Sequence, residues 1–380
     1  MALLDQPLTT YSDTNIHKRI IGETINIIDP MDTPVIARLG LDSARSKFRL
    51  NLNGMKIEII EDEYMPLSHA ANQGTTITST TTDITFADAS KVKVGQVLKL
   101  DDEYVVVSAV NTTTNVVSVQ GRGFGSTSAA THGATVTATV VGMARLEGAD
   151  ADYGGVTKLT TPYNYMAIFE EAVKVTGSQA AINQWGINDE YDYRLTKKKQ
   201  ELLRLVERMV FYGERVQGSA SASRSFGGFD TFITDNSSSI TTTITKASLD
   251  DLAELIYNDG GRPDLVILPP SAVNNLRSLI DSSSFMRVTQ EETMFGMRPV
   301  TRINTQFFEN LEIVVSRHCP TTKGWMLDSR KVGMFTLRPF KDENVARSGD
   351  YKAGEVIGEM SLLVANDKGH GYITTSNSEL

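Results

Sequence analysis

The stretch NDEYDYRLTKKKQELLRLVERMVFYG, residues 188–213, decides how the chain is built. Asn188 fits a helix N-cap, and Asp189, Glu190 and Asp192 put negative charge at the positive end of a helix. Leu195, Leu202, Val206 and Met209 recur at helical spacing with Leu205 beside them, so one face packs. Lys197 to Lys199 share the wet face with Glu201, Arg204, Glu207 and Arg208. That mixture reads as a salt-bridged surface, not a nucleic-acid patch. Gly213 suits the stop. From Asp189 to Tyr212 the helix measures about 36 Å at 1.5 Å per residue. It is a spine around which other elements must be arranged.

Upstream the period changes to two. Phe48, Leu50 and Leu52 alternate, Asn53-Gly54 follows, and Met55, Ile57 and Ile59 alternate again. Asn-Gly between such runs is a strong hairpin signal. Glu58, Glu61, Asp62 and Glu63 surround the second strand, so one face is solvated or pairs with a basic neighbour. Thr75 to Thr85 is almost all threonine, isoleucine and serine. Valine-rich runs follow at Val92 to Val94, Val97 to Leu100, Tyr104 to Val107, Val116 to Val119 and Val136 to Val141. Turn clusters separate them, which predicts a small all-β barrel or sandwich inserted into a loop. Residues 1–40 read as an arm punctuated by Pro7, Pro30 and Pro34, with a short helix near Ile16 to Ile28. An arm of that length reaches roughly 130 Å when extended.

Strand character returns from Tyr163 to Val175. Beyond the spine, 218–225 and 235–245 are Ser/Thr-rich connectors. Leu249 to Tyr257 reads as a helix, Leu265 to Leu268 as a buried strand, and Ser271 to Ile280 as a second helix. Strands follow at Val300 to Thr305, Leu311 to Ser316 and Trp325 to Asp328, with further runs at Met334 to Leu337 and Val356 to Ala365. The sum is an α+β chain with protruding segments.

Composition narrows the function. The 380 residues carry a formal net charge of −9, whereas a chain that grips DNA phosphates needs a basic face. An acidic wall beside DNA encloses the polymer and leaves it mobile. The single cysteine, Cys319, leaves no intrachain disulfide, and the five histidines have no metal-ligand spacing. No apolar run reaches the roughly 18 residues of a membrane span. The N-terminus lacks the basic and apolar regions of a secretory signal, so a cytoplasmic origin is expected.

Catalytic signatures fail one by one. Gly121-Arg122-Gly123-Phe124-Gly125 leads into a strand, not into the helix that a phosphate loop needs, so it is a turn. Pro269-Pro270 stands where a nucleotide fold requires glycines with free N–H groups. His318-Cys319-Pro320 is too isolated for a dyad, since adjacent strand residues face opposite ways. Neither an enzyme nor a cofactor is expected. A long arm and a long β loop expose main-chain edges, which an assembly uses for partners.

The order of these parts resembles the major capsid proteins of tailed bacteriophages with the Hong Kong 97 fold, specifically the SU-ten-like branch. The resemblance rests on Asp32-Thr33-Pro34, Asn164-Tyr165-Met166-Ala167-Ile168-Phe169, Val173-Lys174-Val175-Thr176-Gly177, Asp189-Glu190 and Glu207-Arg208. It continues through Gly227-Gly228-Phe229, Asn258-Asp259-Gly260-Gly261, Val315-Ser316-Arg317, Gly349-Asp350-Tyr351-Lys352 and Gly358-Glu359-Met360-Ser361-Leu362. Each stretch is short, and their order is the specific signal. The 75–145 segment resembles a β module of phage structural proteins through Val94-Gly95-Gln96-Val97, Arg122-Gly123 and Ala129-Ala130-Thr131-His132-Gly133.

The resemblance implies an N-terminal arm (1–40), an extended loop (41–74 and 146–175) and an inserted β domain (75–145). It further implies a spine helix with the first part of a peripheral domain (176–244), an axial domain (245–330) and the rest of the peripheral domain (331–380). Copies are then expected to form hexamers and pentamers of an icosahedral head in the host cytoplasm, enclosing double-stranded DNA without reading its sequence. No helical pro-region precedes the arm, so a separate scaffolding protein is expected, beside a portal and a possible decoration protein. Candidate assembly residues are Asn53, Gly54, Glu61, Asp62 and Glu63. The competing readings are an encapsulin-like compartment shell, a phage tail or adhesin component binding a host glycan through 75–145, and a soluble α/β enzyme using the 245–330 unit.

Overall fold

The computed structural model describes residues 33–40, 54–182 apart from 151 and 156, 187–240, 244–273, and 302–375 apart from 347. The chain divides into two compact units, Ile60–Pro162 and the remainder. The expected helix at 16–28, the first half of the hairpin at 48–52 and most of the expected helix at 271–280 lie outside the described residues.

In the larger unit the spine helix spans Glu190–Tyr212. Its cap is Asp189, one residue after the expected Asn188. The Asp189 carboxylate accepts from the backbone N–H of Tyr191 (2.8 Å) and Asp192 (3.3 Å), and its charge suits the positive helix end better than an amide would. At the other end Gly213 donates to the Met209 carbonyl at 2.8 Å. A Cβ on Gly213 would lie 2.5 Å from that carbonyl and 2.6 Å from the Phe226 carbonyl, and one on Gly228 would lie 2.6 Å from the Val210 carbonyl. Only glycine lets the 226–228 loop press against the helix terminus. The buried stripe includes Leu195, Leu202, Val206, Val210 and Phe211. Phe211 meets Trp325 and Phe229 at ring-centroid distances of 5.3 and 5.9 Å.

Glu207 departs from the expected solvated face. It is fully buried, accepting from the Ser316 hydroxyl at 2.6 Å and the Ile36 backbone N–H at 3.4 Å. The spine therefore has a polar anchor inside its packed face, which charge alternation on a sequence cannot distinguish from a surface glutamate. Lys198 and Lys199 behave as expected, pairing with Glu171, Glu201 and Asp342.

Two sheets flank the spine. In the first, Tyr351–Val364 lies between Val332–Asn344 and Ala167–Thr176, all antiparallel. Ala167, Phe169, Val173 and Val175 alternate into the core and pack towards the spine helix. The second has six strands in the order Ser237–Ile240, Gly371–Thr375, Lys323–Leu327, Leu265–Leu268, Leu311–Val315, Arg302–Ile303. Leu265–Leu268 is buried on both faces, as its uninterrupted apolar run predicts. The helix Lys246–Asn258 opens with a Thr245–Ser248 capping box and packs Leu249, Leu252 and Ile256 with Val266 and Leu268. This sheet recruits residues from outside 245–330. Ser237–Ile240, expected as a connector, is an edge strand parallel to Gly371–Thr375. Its Ser-rich sequence has little β propensity, and the long-range pairing overrides it.

The smaller unit holds another six-stranded sheet, ordered Ser68–Ala70, Thr137–Met143, Gln96–Leu100, Glu103–Asn111, Val116–Val119, Asp83–Thr85. Its edges meet at an Ala71–Phe86 bridge, with Asn72 N–H donating to Thr85 and Ala87 N–H to Ala70. The sheet thus closes around Ile77, Ile84, Phe86, Leu98, Leu100, Val105 and Val117. Val92 to Val94, expected as a strand, is irregular and leads to Gly95 at φ 84°. A Cβ there would sit 3.2 Å from the Ala144 carbonyl, so this approach also needs glycine.

Candidate assembly surfaces

Among the described residues no helix is long and apolar enough to cross a membrane, and no group of His, Cys, Asp or Glu is placed to hold a metal. The titratable groups in the interior serve structure. Burial pushes the Cys319 thiol up, away from the reactive thiolate. Burial lowers His370 to about 4. Its Nδ1 accepts from the Asp328 backbone N–H at 3.1 Å, and its Nε2 donates to the Ala365 carbonyl at 3.0 Å. A neutral imidazole satisfies both bonds.

The surface is more informative than the interior. Ile60, Tyr64 and Leu67 stand exposed on the outgoing arm of the smaller unit, and Leu146, Tyr153 and Leu159 on the returning arm. Tyr64 is 100% exposed, Tyr153 90% and Leu146 74%. The arms are tied where Glu61 and Thr160 exchange backbone hydrogen bonds of 2.8 and 2.9 Å. Val141 and Met143 extend the same exposed character along the strand Thr137–Met143. Soluble monomers seldom present so many large apolar side chains along one ribbon, and such ribbons mark interaction surfaces.

Of the sequence-predicted residues, Glu61, Asp62 and Glu63 belong to this ribbon. Asn53 lies outside the described residues. A Cβ on Gly54 would meet nothing closer than the Lys56 carbonyl at 4.0 Å. The second strand of the expected hairpin, Lys56–Glu58, pairs antiparallel with Tyr163–Tyr165. Glu61 is half-buried in the ladder with Thr160, whereas Asp62 and Glu63 are exposed. The Asp62 carboxylate accepts from the Glu63 backbone N–H at 3.0 Å and the Thr157 hydroxyl at 3.2 Å.

Sequence reasoning missed the apolar partners of these acids, because isolated Ile, Tyr and Leu in polar stretches carry no period. It also missed two buried polar clips. In the larger unit Asn164 is fully buried, and its amide binds both the N–H (2.8 Å) and the carbonyl (3.0 Å) of Gly227, the Leu362 carbonyl and the Tyr165 N–H. Three short motifs distant in sequence are thereby fastened at one point. Likewise Gly177 donates to the Asp350 carbonyl at 3.2 Å where Thr176 pairs with Tyr351. In the smaller unit Glu103 anchors the turn at 121–133. Burial alone would raise its pKa. The Arg122 guanidinium, the Ala130 N–H, His132 and the Gly123 N–H outweigh burial and hold it at about 2.

Comparison with known proteins gives these surfaces a context. A family model described as SU10 major capsid protein matches residues 8–377. Among solved structures, a cyanophage A-1(L) capsid subunit superposes with a TM-score of 0.57 at 9% identity, over 97% of this chain and 99% of that one. A Microbacterium phage Oxtober96 chain gives 0.51 at 10% identity, over 98% and 100%. A capsid chain of a native GTA particle gives 0.50 at 7% identity, over 98% and 100%. At such identities the likeness is one of fold. A search of the curated proteins found no sequence match.

Proposed function

The chain belongs to the SU10 major capsid protein family, the shell subunits of phages. From that premise we propose that its copies form hexamers and pentamers of an icosahedral head that closes around double-stranded DNA. The observation that carries the assembly reading is the exposed ribbon of Ile60, Tyr64, Leu67, Leu146, Tyr153 and Leu159. In this reading 41–74 and 146–175 form an extended loop laid over an adjacent subunit, and 75–145 projects from it as an inserted domain. Residues 1–40 act as an arm to neighbours. Residues 176–244 and 331–380 carry the peripheral domain. Residues 245–330 meet their copies at the capsomer centre as an axial domain, supported by the strands Ser237–Ile240 and Gly371–Thr375. Stable contacts of this kind bury more than about 2,000 Å².

The role is mechanical. With a net charge of −9 the wall repels DNA phosphates and leaves the genome free to move. A separate scaffolding protein and a portal complete the particle, which is open to a decoration protein and is built in the host cytoplasm. The test is Ile60→Asp combined with Tyr64→Asp. These side chains are solvent-exposed in the subunit, so folding should survive while shells fail to form. Normal particles from that variant would defeat the assignment of the ribbon.

A further inference from the structure

On an acidic chain, positive charge is gathered at one concave place. The helix Lys246–Asn258 ends in a turn at Gly260, whose φ of 80° suits glycine, and Arg262 follows. Asp328 ends the strand Lys323–Leu327, and Arg330 and Lys331 lead into the next. Gly260, Arg262, Asp328, Arg330 and Lys331 line a cavity of about 310 Å³.

Its charges are unbalanced. Asp328 is buried and spent on Arg330, which reaches its two carboxylate oxygens through Nε and Nη2, both at 2.8 Å. The same guanidinium donates to the Arg262 carbonyl at 3.1 Å, which fixes its place. Lys331 Nζ lies over Gly369, 3.2 Å from where a Cβ would be, so the glycine makes room for the ammonium. Among the described residues neither Arg262 nor Lys331 forms a salt bridge. Asp264, held by Ser329, also acts on Arg330, so three cations stand against two carboxylates and the hollow keeps one positive charge in excess. Such a hollow favours an anion, and a guanidinium favours a planar carboxylate.

We propose that this pocket receives the carboxylates of Asp62 and Glu63 from a second copy of the chain. The inference rests on the shell reading and names a contact within it. Asp62 and Glu63 are exposed, and they sit between Ile60, 73% exposed, and Tyr64. Those apolar neighbours need cover from another chain. The pocket has matching cover beside it. Tyr257, whose carbonyl accepts from the Gly260 N–H at 3.0 Å, is exposed and stacks on Phe307 with centroids 5.3 Å apart. Acids flanked by apolar side chains thus face cations flanked by aromatics.

A charge swap in the full-length chain tests this, with particle yield read by sedimentation and electron microscopy. Arg262→Glu with Lys331→Glu, and separately Asp62→Lys with Glu63→Lys, should each cut shell yield about tenfold or more, because facing like charges oppose association. All four substitutions in one chain should restore shells. Unimpaired assembly of the pocket variant overturns the proposal. So does failure of the fourfold variant to recover, which would assign the pocket to another anion such as a phosphate of the enclosed nucleic acid. Should a double reversal unfold the subunit, Arg262→Glu set against Asp62→Lys or Glu63→Lys poses the same question with one charge on each side. A wild-type chain that never assembles defeats the shell reading itself, whereas shells indifferent to pocket charge defeat only this contact.

Discussion

Replacing Glu103 with glutamine should unfasten the smaller unit. The Glu103 side chain is 1% exposed and accepts from Arg122 Nε (2.8 Å), Arg122 Nη2 (2.7 Å), Gly123 N–H (2.8 Å) and Ala130 N–H (2.8 Å). His132 spans it and Asp101, at 3.0 and 2.7 Å. A carboxylate can accept from all of these donors at once. An amide turns one of its two ends into a donor, so whichever way it lies it faces other donors, and the buried Arg122 loses its counter-charge. The carboxyl ionises at about 2 against an ordinary value near 4.3, and at 1.36 kcal/mol per pH unit this favours the folded, charged state by about 3 kcal/mol. Breaking a buried pair costs about 3–5 kcal/mol by mutational experience, which agrees. For a unit of this size the loss corresponds to a fall in Tm of about 12–24 °C.

Hydrogen exchange on the full-length chain at pH 7 would localise the effect. Protection at Gly123 and Ala130 should collapse first. Adding Arg122→Met to Glu103→Gln should recover part of the loss, because it removes the buried charge left without a partner; a leucine at 103 would instead orphan the N–H groups of Gly123 and Ala130. Unchanged protection across 121–133 and an unchanged melting transition in Glu103→Gln would refute the reasoning. The sign with pH follows from the depressed carboxyl. Its contribution is complete above about pH 4.3 and fades as pH falls towards 2.

Three further outcomes are expected. His370 behaves in the opposite sense to a salt-bridged histidine. The unfolded chain takes up a proton near pH 6.5 that the folded one refuses until about 4, so calorimetry should find the larger unit losing about 2 kcal/mol between pH 7 and 4.5. A flat pH profile there would contradict it. Asn164→Leu should cost about 2–4 kcal/mol in chemical denaturation, because it orphans the buried N–H and carbonyl of Gly227. Gly54→Val should leave subunit stability within about 0.5 kcal/mol, since a Cβ has open space there; any effect must then appear in shell yield.

The parts of the fold legible in the sequence were those with a local period. The spine helix announced itself through its cap, its stripe and its glycine stop, and the cap was misplaced by one residue because Asn188 and Asp189 are both good caps. Leu265–Leu268 and the strands around Val97, Val105 and Val117 were likewise readable from apolar runs. What escaped depends on distant partners. Ser237–Ile240 becomes a strand only because Gly371–Thr375 returns beside it. Glu207 is inside only because Ser316 and Ile36 offer donors there. The motifs around Asn164, Gly227 and Leu362 were recognised separately, but nothing in their spacing disclosed that one buried amide joins them. Of the candidate assembly residues, Asp62 and Glu63 were visible as charge, while the apolar side chains beside them were invisible until their exposure was known.

The central claim is that the ribbon around Ile60, Tyr64, Leu67, Leu146, Tyr153 and Leu159 is an interface between copies. Single-particle electron microscopy of the purified full-length protein tests it most directly. Closed shells in which these side chains are covered by an adjacent subunit are the expected result. Shells that leave the ribbon facing solvent, or a protein that persists as a monomer even with its scaffolding protein supplied, would contradict it.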